Sequence, residues 1–499
     1  MVINDKPVKI MNNQFFIDYI NDEEENEEEN EEENEEEIEE QNEEEIEEGN
    51  EEGNEEEEKK EEEEKNEEEI EEGNEEEKNE KEKKDINDIQ LGIEEVPGLS
   101  SFQNIGNTCY MNSVLQCLLS CSFLKSFFLL ENHVDIIKSN IYNKVVISDD
   151  KIDNNKEIIR KKYSNNLTNE IGNIFIRYWN NNIKIIPSKF KKVLGNLNSD
   201  FKGRDQQDSE QFLSYILDKM HDDLSYKVKV ELKNDNKRII DLIKLSNTCK
   251  KLSRNNLVSN DNKILINKIF KNYIISNTED IINLRGRLYW KNYIEKMKHS
   301  IIRDLFTGLF VSKIFCCNCG NLSFSFEPFN ILMLPIPDNN MNEIKLSECL
   351  KNFSKKERLD NSNKYYCKKC KSDVNAFKEI KMWREPQILI IQLKRFSNNI
   401  CLRKNNKKII YPIEDLDISN IIFKKKKEND NNNLYNLFSI TKHYGNLYSG
   451  HYKSSSLNPI NKCWYEQNDK DIYYINKENY DTEISSNIAS YLLFYEKKI

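Results

Sequence analysis

Between residues 22 and 84 the chain repeats Glu-Glu-Glu-Asn and Glu-Glu-Gly-Asn units, with 40 acidic and 7 basic residues in 63 positions. Its only hydrophobic side chains there are Ile38, Ile46 and Ile70. A net charge of −33 with so little apolar surface cannot form a core, and self-repulsion keeps such a stretch solvated. Any fold must come from the remainder. Those 436 residues carry 49 acidic against 66 basic side chains, net +17, and are about 42% apolar, which is ample for a core. A uniformly acidic domain and a fully disordered chain are both excluded. The expected plan is an N-terminal segment 1–21, an acidic tail 22–84 and a basic globular body.

The start of the chain lacks the basic and apolar regions of a signal peptide. The longest apolar stretches, such as Ile388–Leu393, fall short of the roughly 18 residues that span a bilayer. A soluble cytoplasmic or nuclear protein with no membrane partner is expected. Its 12 cysteines then serve as metal ligands, nucleophiles or core residues instead of disulfides. Structure is expected from Val96-Pro97-Gly98-Leu99 onward, a length that exceeds the usual single core and implies subdomains or insertions. Two stretches read as inserted: 227–286, rich in Lys, Asn and Ile, and the basic loop 424–433, KKKKENDNNN. Without interleaved aromatics the latter reads as a solvated loop, and no nucleic-acid partner is expected.

Residues 98–121 read GLSSFQNIGNTCYMNSVLQCLLSC. Met111, Val114, Leu115, Leu118 and Leu119 recur at helical spacing and mark the apolar face of a buried helix. Asn107 and Thr108 precede it as cap-type residues, and Gly106 permits a tight turn. Cys109 then falls in the first turn, where unpaired N–H groups and the positive dipole end favour the nucleophilic thiolate. Cys117 and Cys121 are expected deeper along the helix and inert.

A thiolate nucleophile needs a base, and the chain has five histidines: 133, 221, 299, 443 and 451. Residues 443–469 read HYGNLYSGHYKSSSLNPINKCWYEQND. Gly445 and Gly450 bracket a loop, and His451-Tyr452-Lys453 starts a strand-like run. After a turn around Asn458-Pro459, Trp464-Tyr465 opens the next strand. Two such antiparallel strands would hold His451 beside a polar residue near Asn468. Upstream, Arg204–Leu224 reads RDQQDSEQFLSYILDKMHDDL, and Leu213, Ile216, Leu217, Met220 and Leu224 follow helical spacing. Leu389–Phe396 and Tyr491–Tyr495 read as central strands.

Cys316-x-x-Cys319 and Cys367-x-x-Cys370 form two knuckles separated by 47 residues. Four thiolates at such spacing suit one closed, tetrahedral, structural Zn2+ site. The separation exceeds that of a compact zinc ribbon, so the intervening strands, Leu322–Leu334 among them, are expected to extend outward. Cys317 and Cys349 fit neither knuckle.

Taken together these segments resemble the ubiquitin-specific proteases. Their cysteine box, Gly-Leu then Asn-x-Gly-x-Thr-Cys-Tyr-x-Asn-Ser-x-Leu-Gln, is met by Gly98, Leu99, Asn104, Gly106, Thr108, Cys109, Tyr110, Asn112, Ser113, Leu115 and Gln116. The resemblance implies an α+β, papain-like cysteine protease core over 97–499, with thumb, palm and zinc-ribbon fingers, the fingers near 312–378. It implies Cys109 as nucleophile, Asn104 as oxyanion donor and His451 as base. Asn468 would orient His451 by accepting its Nδ1–H, with Asp469 sharing the task. Asp208, Gln207, His443 and Tyr452 would line the channel for the substrate tail. The chain departs from the pattern at Ser209-Glu210-Gln211-Phe212, where an acid is missing from its usual place. The expected activity is that of a monomeric deubiquitinating cysteine isopeptidase acting on ubiquitin and ubiquitinated proteins. A protease for a ubiquitin-like modifier, or a catalytically inactive ubiquitin-binding scaffold, are the alternatives.

Overall fold

Two largely apolar runs build the centre of the molecule. In the computed structural model they are the strands Ile388–Lys394 and Ser490–Lys497, paired antiparallel with Ile390 opposite Phe494. Ile388, Ile390, Leu492 and Phe494 enter one hydrophobic core. Leu389, Ile391, Leu393, Leu493 and Tyr495 enter another. Successive side chains of a strand point to opposite faces, so a strand can be apolar throughout only where both faces are covered. The sheet is therefore a wall between two cores. Its eight strands include, from edge to edge, Asp471–Ile475, Trp464–Asn468, Gly450–Leu457, Leu434–Gly445, Ser490–Lys497, Ile388–Lys394 and Ile331–Pro335. The eighth, Leu416–Asp417, pairs with Leu434–Gly445.

The structure describes residues 96–146, 152–180, 182–231, 259, 278–337, 341–396, 404–423, 433–446 and 449–498. The segment 1–21, the acidic tail 22–84, most of the stretch 227–286 and residues 424–432 of the basic loop lie outside the described residues.

One core belongs to a helical lobe. Every residue of the helix Cys109–Leu119 is buried, and it packs with Leu167–Asn180 and Ser209–Leu224. The same helix lies against the strand Gly450–Leu457, which brings the cysteine and histidine segments together. Two local expectations are corrected. Thr108 holds the N-cap position but makes no side-chain bond to the helix. Its hydroxyl instead accepts from Ile105 N (3.1 Å) and donates to Asn104 Oδ1 (3.2 Å), turned back into the preceding loop. Cys121 lies past the end of the helix, at the joint before Ser122–Leu129, because the chain leaves helical geometry after Leu119. Burial pushes both the Cys117 and Cys121 thiols up, the latter to about 12, so both stay protonated.

A second, four-stranded sheet runs Leu322–Phe329, Gly308–Cys316, Ala376–Arg384 and Glu357–Leu359, with the hairpin Tyr365–Cys367/Ser372–Val374 nearby. Between the two cysteine knuckles the chain does not only extend outward. Ile331–Pro335 returns to the large sheet, parallel to Ile388–Lys394, and the helix Leu346–Phe353 adds Leu346, Cys349 and Leu350 to the second core. The helix Thr278–Lys296 begins inside the stretch 227–286 and rests on the smaller sheet, where Trp383 Nε1 donates to Asn283 Oδ1 at 3.2 Å. Helical lobe, central sheet and cysteine-tipped sheet form an α+β fold with the thumb, palm and fingers division. Among the described residues no single helix is long and apolar enough to cross a membrane.

Candidate active site

Cys109 is the first residue of its helix, and it is hydrogen-bonded to His451 on the adjoining strand. The Asn468 Oδ1 atom lies 2.6 Å from His451 Nε2, brought there by the pairing of Gly450–Leu457 with Trp464–Asn468. This corrects the expected atom. Asn468 holds Nε2, which leaves Nδ1 to face Cys109. His451 is half-buried, and its imidazole is raised from 6.5 to about 9. The hydrogen bond to Cys109 is the largest cause; burial opposes it, Asn468 adds to it, and Asp469 contributes through charge alone.

The loop before Cys109 is fixed by one side chain. Asn104 Oδ1 accepts from Gly106 N (3.0 Å), Thr108 N (3.1 Å) and the Thr108 hydroxyl (3.2 Å). Gly106 takes a φ of +116°, a conformation open to glycine. With its oxygen so occupied, Asn104 must present its amide outward, and Nδ2 donates to Asp469 Oδ2 at 3.0 Å. Asn112, one turn into the helix, donates to the other oxygen, Oδ1, at 2.7 Å. Since Thr108 does not cap the helix, its first-turn N–H groups keep no side-chain acceptor. An amide N–H in the loop before Cys109 and the N–H groups of its helix start are thus donors of the kind a developing oxyanion needs.

On the other side, Asp208 caps the helix Ser209–Leu224, its Oδ1 accepting from Glu210 N (2.6 Å) and Gln211 N (3.4 Å). Its Oδ2 accepts from the hydroxyls of Tyr452 (3.3 Å) and Tyr491 (2.9 Å). Burial and the neighbouring carboxylate push both phenols up, so they remain donors. Gln207 points elsewhere, Nε2 donating to Asp200 O at 2.9 Å. Gln206, the preceding residue, accepts from Gly450 N at 2.8 Å and so ties this helix start to the residue before His451. No role was expected for Gln206, Tyr491 or Asn112, although Asn112 stands inside the cysteine box and Gln206 two residues before Asp208. His443 is buried against Tyr452, ring centroids 4.7 Å apart. Burial, Lys404 and His451 lower it to about 4, which keeps it neutral. A Cβ at Gly450 would meet His443 Nε2 at 2.2 Å, so a glycine is required there.

Cys316, Cys319, Cys367 and Cys370 come together at the end of the smaller sheet, their sulfurs all within 4.8 Å of one another. Three of the separations are 3.5, 3.7 and 3.8 Å. A tetrahedron with metal–sulfur arms of ~2.3 Å has edges of ~3.8 Å, so the donor set fits zinc. Gly320 and Lys371 take φ of +64° and +52°, closing each knuckle as Gly320 N and Lys371 N bond back to Cys316 O and Cys367 O. Cys317 is exposed and Cys349 is buried in the second core; neither joins the cluster.

A family model described as ubiquitin carboxyl-terminal hydrolase matches residues 100–495. A probable ubiquitin carboxyl-terminal hydrolase of Acanthamoeba polyphaga mimivirus is 30% identical over 435 residues, covering 81% of this chain and 91% of that protein. Ubiquitin carboxyl-terminal hydrolase 2 of Homo sapiens is 28% identical over 408 residues, 80% of this chain, and the chain spans 55% of that relative's length. Among solved structures, a chain of the SAGA DUB module bound to ubiquitin aldehyde matches with a TM-score of 0.52 at 22% identity, covering 81% of this chain and 71% of that one. That last likeness is one of fold.

Proposed function

The chain belongs to the ubiquitin carboxyl-terminal hydrolase family of thiol-dependent enzymes, and from that premise we propose that it cleaves the peptide or isopeptide bond after the final glycine of ubiquitin with Cys109 as nucleophile. The observation that carries this reading is the hydrogen-bonded Cys109–His451 pair with Asn468 behind the imidazole. Cys109 Sγ attacks the scissile carbonyl, and the protonated His451 delivers its proton to the departing amine. Water, deprotonated by the same imidazole, then opens the thioester. Asn104 Nδ2 and the Cys109 backbone N–H hold the oxyanion. Asn468 fixes ring and tautomer without bringing a charge, while the Asp469 carboxylate acts at one remove by holding the Asn104 amide.

Asp208, fixed by two tyrosine hydroxyls and a helix start, supplies a carboxylate for a basic substrate tail. Buried His443, packed so close to Gly450 that a Cβ would not fit, would narrow a channel for a tail that ends in glycines. Cys316, Cys319, Cys367 and Cys370 would hold one zinc ion, which when bound supplies a cross-link between the knuckles and no reacting atom.

The direct test is a ubiquitin carrying a C-terminal electrophile, with the adduct mapped by mass. The expected adduct is on Cys109 and is lost in Cys109→Ala. Labelling of a different cysteine would overturn the assignment. Labelling only by a ubiquitin-like modifier with the same electrophile would move the substrate class, and Gln211 is the place where that difference would originate. Tight ubiquitin binding without adduct or turnover would indicate a scaffold.

A further inference from the structure

We propose that a cationic cleft beside the Asn104 loop receives an acidic segment of the protein to which ubiquitin is attached. This rests on the hydrolase reading above. The helix Ser188–Leu197 buries Phe190, Val193 and Leu194. Its other face, Ser188, Lys191, Lys192 and Gly195 at i, i+3, i+4 and i+7, lines an open cleft of about 360 Å³ bordered by Lys202 and Ile105. Gly195 lets Lys202 approach the helix, because a Cβ there would stand 2.8 Å from the Lys202 Cα. Ile105 adjoins Asn104, so one wall of the cleft is the loop that presents the oxyanion donor.

Three ammonium groups line this cleft and no carboxylate does. Arg204 lies outside the cleft lining but brings a further cation to the Asn104 loop, its side chain packed over Gly106. The first turn of the helix has no side-chain cap at Pro187, so its N–H groups add to the positive field. Asp205 is the acid that acts on Lys191, whose ammonium also donates to the Tyr110 hydroxyl at 3.1 Å. Lys192 and Lys202 are exposed.

A basic ubiquitin tail is repelled by this cluster and drawn to Asp208 instead. The cleft therefore suits the opposite half of the scissile bond, the protein that leaves with its lysine. Its volume, at the small end of ligand sites, takes a short run of side chains and not a folded domain. Glutamate and aspartate side chains match its charge.

The experiment compares three substrates on the full chain: ubiquitin isopeptide-linked to a peptide with Glu on both sides of the lysine, the same conjugate with Gln, and a ubiquitin C-terminal fluorogenic amide. The wild type is expected to show a KM about three- to tenfold lower for the Glu conjugate at low salt, narrowing as salt is raised. In the Lys192→Gln/Lys202→Gln double variant that preference should vanish while the amide is cleaved at the wild-type rate. Equal KM values for the two conjugates in the wild type, or a preference that survives in the double variant, would overturn the site alone. A wild type that leaves the amide intact would overturn the hydrolase reading and the site with it.

Discussion

The Asp469 carboxylate accepts from the Asn104 side-chain amide at 3.0 Å, across 365 residues of sequence. Asp469 stands in the turn between Trp464–Asn468 and Asp471–Ile475 with a φ of +50°. The chain reverses there, so two consecutive side chains serve two different partners: Asn468 meets His451, and Asp469 meets Asn104 and Asn112. The backbone carbonyl of Asp469 also accepts from Phe102 N at 3.0 Å, which locks the turn to the cysteine loop. The two roles proposed above, proton transfer and oxyanion support, are thereby joined through one peptide bond.

The two residues should consequently fail in different ways. Asn468→Ala removes one of the groups that raise His451, so the alkaline limb of kcat against pH should move below about 9 as the rate falls. Asp469→Ala should free the Asn104 amide and lower kcat by about 10²–10³, the usual cost of a lost oxyanion donor, with that limb much less displaced. Asn112→Ala, which leaves Asp469 with one amide fewer, should show a smaller loss of the Asp469 kind. If Asp469→Ala shifts the limb and Asn468→Ala does not, the two roles are reversed.

The pH dependence has a definite sign. His451 is raised from 6.5 to about 9 in the folded protein, so its pairing stabilises the fold fully below 6.5 and is lost as pH climbs through 9. Thermal stability should decline across that window, along with activity. Removing the first cause, the hydrogen bond that His451 donates to Cys109, should bring the imidazole down. An NMR titration of His451 in Cys109→Ala that still gave a midpoint near 9 would contradict the pairing.

What could be read without coordinates was whatever depends on periodicity. The runs Ile388–Lys394 and Ser490–Lys497 announce strands covered on both faces, and the spacing from Met111 to Leu119 announces a buried helix. The cysteine knuckles were legible because their ligands come in local pairs. Directional bonds were not. Thr108 has the chemistry of a cap, yet Ile105 N and Asn104 compete for its hydroxyl and win. Asp469 looks like a partner for His451 because it adjoins Asn468, and only the left-handed turn sends it elsewhere. The tie from Gln206 to Gly450 spans 244 residues and leaves no periodic trace.

The cysteine cluster predicts a metal dependence of folding, not of chemistry. One zinc per chain is expected in the purified protein, and Cys367→Ser should lower Tm, since Cys367 is buried at the junction of the knuckles. Residual cleavage should keep the pH profile of the Cys109–His451 pair, because four thiolates leave no position for an activated water. A chelator that strips the metal while leaving Tm unchanged would count against a structural role, as would protein that is active and free of zinc.

Gly286 tests whether the helix Thr278–Lys296 braces the smaller sheet. Two effects of Gly286→Ala oppose each other. Alanine favours a helix over glycine by about 1 kcal/mol. Yet the new methyl would meet Trp383 Cε2 at 2.4 Å, and overpacking of this kind costs about 1–3 kcal/mol. The indole cannot easily step aside. Its Nε1 is held by Asn283 Oδ1, and its ring lies edge-on to Phe326 with centroids 6.2 Å apart. The clash should therefore win, lowering Tm, while the ubiquitin electrophile still labels Cys109, since the thiol sits in the core of the helical lobe, to which neither Gly286 nor Trp383 belongs. A variant with a raised Tm would mean that Trp383 moves freely and that this helix does not brace the sheet.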